Sequence, residues 1–513
     1  MTSKKKTKKT RRHSPVRIVV YVLVGLAYLL ACTLVCVCDW SREYFNVSLE
    51  EILFTLTNPL EGADNNIVWD AVKYCLPRIL LVTAAYVVAV WIDWRTNVSW
   101  IVCVKIKKFV LRLNVLKIAR FVGAWGCIAA MTMSVFHVDK RYGLFEFIKN
   151  RMSVNTIYEE YYVNPKEAGI VLPAGQKKKN LVYIVLESME TTYADKEHGG
   201  AQSEEYIPNL LQIAKEYTSF SNGESLGGFY NTSGTMWTMG ALMALTSGVP
   251  FDFPTQRNSM NKRESFAPGL TTIGEVLDSF GYTQEFLCGS NGEFGGRRLY
   301  FETHGGYEIY DLYSARADGY IPEGYYVFWG YEDLYLYEIA KDELTRLSQG
   351  NEPFNLTMLT VDTHAKGGYV CKLCKSDHAV STANVVSCAD RQLKNFLDWC
   401  KAQPFYEDTV IVVTGDHPRM DDILVAGVET RPIYNCFVNA PAIESERKQN
   451  RVFTPMDMFP TTLAAMGFSW QGNRLGLGTN LYSSQKTLSE ELGFDYLDAE
   501  LKKSSRYYEE HFY

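Results

Sequence analysis

The chain reads as α/β: N-terminal transmembrane helices, then an extracellular domain whose mostly parallel sheet is covered by helices. Three observations predict this. Charge is sorted into blocks along the 513 residues, long apolar runs cluster near the N-terminus, and three β-branched runs further on each end in polar residues.

The charge blocks come first. Residues 1–17 hold eight Lys/Arg and no acid, residues 18–93 hold three basic and eight acidic residues, and residues 94–138 hold seven basic and none acidic. Residues 139–513 carry 34 basic against 50 acidic residues, a net of −16. The near-neutral overall mean hydropathy of −0.13 averages over these unlike parts. A core this rich in apolar residues excludes a disordered chain.

Ile18–Cys38 is uncharged and long enough to cross a hydrocarbon core of about 30 Å. It is too long for the apolar region of a cleavable signal peptide, and no small-x-small site follows it. Ile79–Ile92 forms a second span once Tyr74–Arg78 is added, and Phe121–Val138 forms a third. The positive-inside rule keeps the basic N-terminus in the cytoplasm and sends the acidic Asp39–Asp70 outside. Arg95–Arg120 then returns to the cytoplasm, with Val104–Leu116 expected along the anionic lipid surface, and everything after Asp139 lies outside. The basic blocks are therefore topology signals, and no nucleic-acid partner is expected. The predicted organisation is a basic cytoplasmic tail (1–17), a membrane domain (18–138), a juxtamembrane linker (139–179), an extracellular domain (180–500) and a C-terminal tail (501–513).

Six of the 12 cysteines lie in or beside the membrane part. Cys371-x2-Cys374 is half of a zinc motif with no second pair at ribbon spacing, so no metal site is predicted there. A disulfide from Cys388 to Cys371 or Cys374 and free thiols remain equal alternatives.

In the external part, Asn180–Glu187, Leu356–His364 and Thr409–His417 read as strands buried on both faces. Helical patterns at Ile207–Tyr217, Thr272–Phe280 and Asp390–Cys400 alternate with them. Glu187, His364 and the pair Asp416-His417 fall at the carboxyl ends of these strands, the edge where open α/β sheets bind ligands. Carboxylates with imidazole suit Zn²⁺ or Mn²⁺ better than Ca²⁺. A single carboxylate at a strand end is usually a solvated or capping group; three such strands together are harder to assign that way.

Transfer chemistry also needs a nucleophile. Gly227–Pro250 begins as a Gly/Ser/Thr-rich loop and enters an apolar helix of small residues. A hydroxyl at that entrance faces free backbone N–H groups that favour phosphate, although Ser and Thr fill the same position as plain helix caps. Thr232, Ser233, Thr235 and Thr238 are the candidates, and spacing does not choose among them.

Five ordered motifs carry a resemblance: Glu187-Ser-Met-Glu-Thr-Thr-Tyr193, Gly234-Thr-Met-Trp-Thr-Met239, Thr360-Val-Asp-Thr-His364, Thr414-Gly-Asp-His417, and Asp457-Met-Phe-Pro-Thr-Thr with Asn473-Arg-Leu-Gly-Leu-Gly-Thr-Asn480. Together they resemble the lipoteichoic acid synthase and phosphoglycerol transferase I family, membrane-anchored members of the alkaline phosphatase/sulfatase-like superfamily. The wording is closer to the phosphoglycerol transferase I branch, and the likeness begins as early as Val47–Leu53.

The resemblance implies that Thr238 is the nucleophile and that Glu187, Thr238, Asp416 and His417 hold one divalent cation, Mn²⁺ before Zn²⁺ or Mg²⁺. It implies that His364 contacts the phosphate or acts as acid and base. Arg297, in Phe294-Gly-Gly-Arg297, matches a phosphate-binding position, although Gly295 replaces an aromatic residue and no His stands upstream in Cys288-Gly-Ser-Asn291. Trp329 is placed at the pocket wall, with a core tryptophan as the alternative. The implied reaction moves glycerophosphate from phosphatidylglycerol to a glycan or polyglycerolphosphate acceptor at a bacterial cell membrane, through a phospho-threonine intermediate, releasing diacylglycerol. The alternatives are a phosphoethanolamine transferase or a lipid phosphodiesterase of the same superfamily, or a catalytically dead membrane scaffold. A sulfatase proper would need a C/S-x-P-x-R signature, which the sequence lacks.

Overall fold

The computed structural model describes residues 15–44, 48–57, 65–95, 101–106, 109–252 and 266–513. Most of the predicted basic tail, residues 1–14, lies outside them, as do parts of the acidic loop at 45–47 and 58–64. The chain forms two compact units.

The first unit is built from three apolar helices, α1 (Pro15–Tyr44), α3 (Asn65–Arg95) and α4 (Val115–Tyr142); α2 (Leu49–Thr57), between α1 and α3 in sequence, belongs to the second unit. Each of the three contains a stretch long and apolar enough to cross a membrane: Pro15–Arg42, Val68–Arg95 and Ile118–Tyr142. All extend beyond the uncharged cores visible in sequence, because polar helix ends can reach the interface without breaking the helix. The ends are matched by charge. Asp93, at the end of α3, accepts Arg17 of α1 at 2.8 Å and Arg120 of α4 at 3.0 Å. At the opposite end His137 of α4 meets Asp39 of α1 at 2.7 Å. These pairings set α1 and α4 in one direction and α3 in the other, as three alternating spans require. The segment expected along the lipid surface is an antiparallel hairpin in backbone, β1 (Ile101–Ile106) with β2 (Phe109–Asn114).

In the second unit, the sheet comprises β3 (Asn180–Leu186), β4 (Thr283–Cys288), β5 (Glu308–Tyr310), β6 (Phe354–Leu359), β7 (Thr409–Gly415) and β8 (Asn435–Val438). Their order is β5-β4-β6-β3-β7-β8, and only β8 runs antiparallel to its neighbour. Side chains alternate between two cores, as pleating demands. Leu181, Tyr183, Val185, Val410 and Val412 enter one; Val182, Ile184, Leu186, Ile411 and Val413 enter the other. Both faces are thus covered, which is why these strands read as unbroken apolar runs rather than alternating ones.

The expected helix at Ile207–Tyr217 is α5 (Pro208–Glu216), and that at Thr272–Phe280 spans Ile273–Ser279 with Thr272 capping it in a reciprocal box with Glu275. The helix expected at Asp390–Cys400 starts earlier and covers Ser381–Lys401, its first turns buried through Thr382, Ala383, Val385 and Val386. The strand expected through His364 stops at Leu359. The Asp333 carboxylate takes the next amides instead, accepting Val361 N at 2.7 Å and Asp362 N at 3.1 Å, so the chain turns away from the sheet.

Candidate active site

Strands β6, β3 and β7 are neighbours in the centre of the sheet, with Val185 beside Leu359 and Leu186 beside Gly415. Their carboxyl ends therefore converge, and Glu187, Asp416 and His417 meet with ligand atoms all within 4.8 Å of one another. Each is buried to 2% exposure or less.

The backbone aims these groups. Ser188 adopts a left-handed φ of +52°, uncommon for a residue with a side chain, and its N–H donates to Asp416 Oδ1 at 2.8 Å. His417 N donates to the same oxygen at 2.8 Å, while Asp416 Oδ2 is buried and accepts no hydrogen bond from the described residues. His417 Nδ1 donates to the Pro418 carbonyl at 2.9 Å, which turns Nε2 toward Glu187 and Asp416 at 3.5 and 3.3 Å; against burial, the charges of Asp416 and Glu187 hold this imidazole above its usual value. A carboxylate oxygen free of amide donors, a second carboxylate and an imidazole nitrogen whose proton a cation can replace converge in a buried pocket and form a donor set that fits a divalent metal ion.

Thr238 is the first residue of helix α6 (Thr238–Ser247), with Trp237 as its cap. Its Oγ1 lies 3.2 Å from Glu187 Oε2 and 3.3 Å from His417 Nε2. The helix behind it is buried from Met239 to Ser247, whereas Thr238 itself stays partly accessible. The approach of loop and helix needs glycine: a Cβ on Gly234, where φ is +80°, would stand 2.1 Å from the Phe251 carbonyl oxygen. Thr232 and Thr235 are buried in the loop, where Thr235 Oγ1 bonds the Thr232 carbonyl at 2.9 Å, and Ser233 Oγ donates to Glu50 at 2.9 Å. Of the four hydroxyl candidates, Thr238 alone bonds the buried acid and histidine.

The electrostatics follow from crowding. Burial, then the Glu187 charge, pushes the Asp416 carboxyl up to about 7, with His417 opposing. Burial also works against an ionised Glu187, but His364 and His417 outweigh it and hold that carboxyl below its ordinary value. His364 is held below the usual imidazole value by desolvation, despite the Glu187 charge nearby. Its Nδ1 bonds the Ala365 carbonyl at 2.7 Å, and its ring lies against Trp329 with centroids 4.6 Å apart. Trp329 Nε1 is buried without a partner. Phe294 continues this row of tilted rings, its centroid 5.3 Å from that of Trp329, and the Arg297 guanidinium lies 5.5 Å from the Phe294 ring. Arg297 is buried and donates to the carbonyls of Phe294 and Asn291, both at 2.9 Å. It thus joins the site through an aromatic row rather than within the acid–histidine cluster.

Several residues escaped the sequence reading. Arg419 is fully buried, forks onto Asp421 with both contacts at 2.7 Å, and reaches the Thr363 carbonyl at 2.7 Å, clamping the turn before His364 to the one after His417. Arg431 holds Glu190 at 2.8 Å in the same layer. The larger surprise is α2, which Ser48 starts by accepting the Glu51 amide at 3.1 Å. Glu51 is buried, and its carboxyl is pushed up to about 8, by burial first, within the fields of His417 and Glu187. The motif Ser48-Leu-Glu-Glu51, a capping pattern with two acids, was the available signal.

A sulfatase family model matches residues 179–468, more than half of the chain and all the strands just described. The chain belongs to the sulfatase family. Among curated proteins it is 27% identical over 486 residues to phosphoglycerol transferase I of Escherichia coli O127:H6, covering 90% of this chain and 56% of that protein. It thus spans about half the length of the curated relatives it matches. Among solved structures, an alkaline phosphatase superfamily protein from Vibrio parahaemolyticus is 22% identical with a TM-score of 0.49, covering 67% of this chain and 80% of that one. The integral membrane lipooligosaccharide phosphoethanolamine transferase A of Neisseria meningitidis is 16% identical with a TM-score of 0.48, covering 88% and 84%. The expected superfamily, the likeness to phosphoglycerol transferase I, the fold class and a multi-pass membrane part with three apolar helices followed by a globular unit are borne out.

Proposed function

We propose that this sulfatase family member is a membrane-anchored phosphoglycerol transferase that takes glycerophosphate from phosphatidylglycerol and passes it to a glycan or polyglycerolphosphate acceptor. The observation that carries the reading is the placement of Thr238 Oγ1, accessible at a helix N-terminus and within 3.3 Å of both Glu187 and His417. The likeness to phosphoglycerol transferase I supports the choice of donor.

Glu187, Asp416, His417 and Thr238 Oγ1 would hold one divalent ion, Mn²⁺ for preference. Such an ion lowers the pKa of a coordinated hydroxyl and offsets charge on phosphoryl oxygens. The chain supplies the remainder. Thr238 Oγ1 bonds to phosphorus, and the bond to the diacylglycerol oxygen breaks. His364, neutral and with Nδ1–H spent on the Ala365 carbonyl, offers Nε2 to take the Thr238 proton and return it to the leaving oxygen. In the second half the acceptor hydroxyl gives its proton to His364 and its oxygen to phosphorus, and Thr238 leaves reprotonated. Trp329 and Arg297 line the side on which the head group is placed. Attachment to the membrane raises the local concentration of a lipid donor.

The test uses the full chain in lipid vesicles with Mn²⁺ and fluorescent phosphatidylglycerol or phosphatidylethanolamine. Diacylglycerol released from phosphatidylglycerol and abolished by Thr238→Ala is the expected result. Release only from phosphatidylethanolamine would overturn the donor, and activity surviving in Thr238→Ala would overturn the nucleophile.

A further inference from the structure

Outside the reaction centre, the fold gathers three sulfurs that sequence spacing alone does not unite. Cys371 and Cys374 lie on the loop that follows His364, and Cys388 lies on the helix Ser381–Lys401. Cys371 Sγ is 3.8 Å from Cys374 Sγ and 3.8 Å from Cys388 Sγ, and all three sulfurs lie within 4.8 Å of one another. A tetrahedral zinc ion with Zn–S bonds of about 2.3 Å sets its sulfurs about 3.8 Å apart, whereas a covalent S–S bond is only about 2.05 Å.

The cluster is shaped by a tight turn on one side and an amide donor on the other. The Cys371–Cys374 segment is a tight turn closed by Cys374 N on the Cys371 carbonyl at 3.1 Å. Gln392, one turn after Cys388, directs Nε2 to Cys388 Sγ at 3.5 Å. N–H donors aimed at sulfur stabilise the anion and orient it, as outer partners do for metal ligands. Cys371 and Cys388 are buried, while Cys374 is partly exposed, which leaves a solvent-facing side for a fourth ligand.

We propose that Cys371, Cys374 and Cys388 form a structural site for a thiophilic d¹⁰ ion, Zn²⁺, with water completing the tetrahedron. Three soft ligands select zinc over Mg²⁺ or Mn²⁺, so this site and the oxygen- and nitrogen-rich reaction centre sort different metals. Zinc here ties the loop bearing Cys371 to the helix bearing Cys388. Tyr369 N, on that loop, donates to the Asp362 carbonyl at 2.7 Å, so the tie reaches the turn that ends at His364.

The test is metal and thiol analysis of the full chain purified in detergent without chelator. Zinc per chain is measured in the wild type, in Cys371→Ser and Cys374→Ser, and in Asp416→Ala, which removes a carboxylate of the reaction centre only. The expected result is one zinc per chain lost in each cysteine variant and retained in Asp416→Ala. To separate loss of metal from loss of fold in the cysteine variants, Co²⁺ is exchanged into the wild type, where a thiolate-to-cobalt charge-transfer band is expected. Absence of that band, or a disulfide between any two of the three residues in a non-reducing peptide map of the wild type, overturns the proposal.

Discussion

Thr238 Oγ1 stands 3.3 Å from His417 Nε2, the ring nitrogen turned toward the site because Nδ1 is engaged by the Pro418 carbonyl. The contact joins the start of a buried helix to the end of a central strand, and it fixes the hydroxyl with little freedom. Thr238→Ala should therefore lower kcat by about 10³-fold or more with the fold intact, and Thr238→Ser should recover part of the rate. Diacylglycerol release, with circular dichroism as the folding control, measures both.

Asp416 offers one oxygen to two amides and leaves the other without a partner. Asp416→Asn should weaken Mn²⁺ binding by about 100-fold, which titration calorimetry would read. A smaller loss would mean that the buried oxygen is not a ligand.

The raised Asp416 carboxyl has a consequence for stability. Its value rises from 3.8 unfolded to about 7 folded, so between these values the native state binds more proton than the unfolded one. Stability of the metal-stripped chain should then fall as pH rises through that window. A cation competes with that proton, so added Mn²⁺ should raise Tm more at pH ~8 than at pH ~5. Thermal melts with and without Mn²⁺ at the two pH values decide the sign.

Arg419 sits in the core with both sides of its fork used, on Asp421 and on the Thr363 carbonyl. Arg419→Ala strands the buried Asp421 and should cost about 3–5 kcal/mol. Arg419→Lys, which keeps the charge but not the fork, should fall between. Urea melts of the full chain give the values.

Glu51, held up to about 8, carries its proton at neutral pH. Glu51→Gln should accordingly keep most of the activity near pH ~7, where the acid is protonated, and diverge from wild type above pH ~8, where it ionises. Glu51→Ala should lower activity at both. A pH profile of diacylglycerol release separates these outcomes.

The parts of this molecule that were legible in sequence share one property: the signal was local. Asn180–Leu186 and Thr409–Gly415 are buried on both faces, so β-branched runs announced them, and Glu187 and Asp416-His417 followed at their ends. Convergence of these residues was not local, since it depends on β6, β3 and β7 being neighbours. Cys388 joins Cys371 only through the docking of a helix, and the sequence offered it as a disulfide partner of Cys371 or Cys374 rather than as a third sulfur ligand. The early end of β6 had no signal near it, because the carboxylate that captures its next amides belongs to Asp333. Arg297 was recognised by motif alone, and its engagement with two carbonyls lies beyond what a motif records.

Helix α2 has a further meaning for how the protein can be divided. A piece of the globular unit is encoded between two membrane spans, more than a hundred residues ahead of the first central strand. Membrane helices and globular unit are therefore interleaved along the chain rather than joined end to end. A soluble fragment cut after the last span would omit Glu50, which bonds Ser233, and Glu51, in the field of His417. Neither part is a portable module, and trading one for that of a relative would exchange part of the other as well.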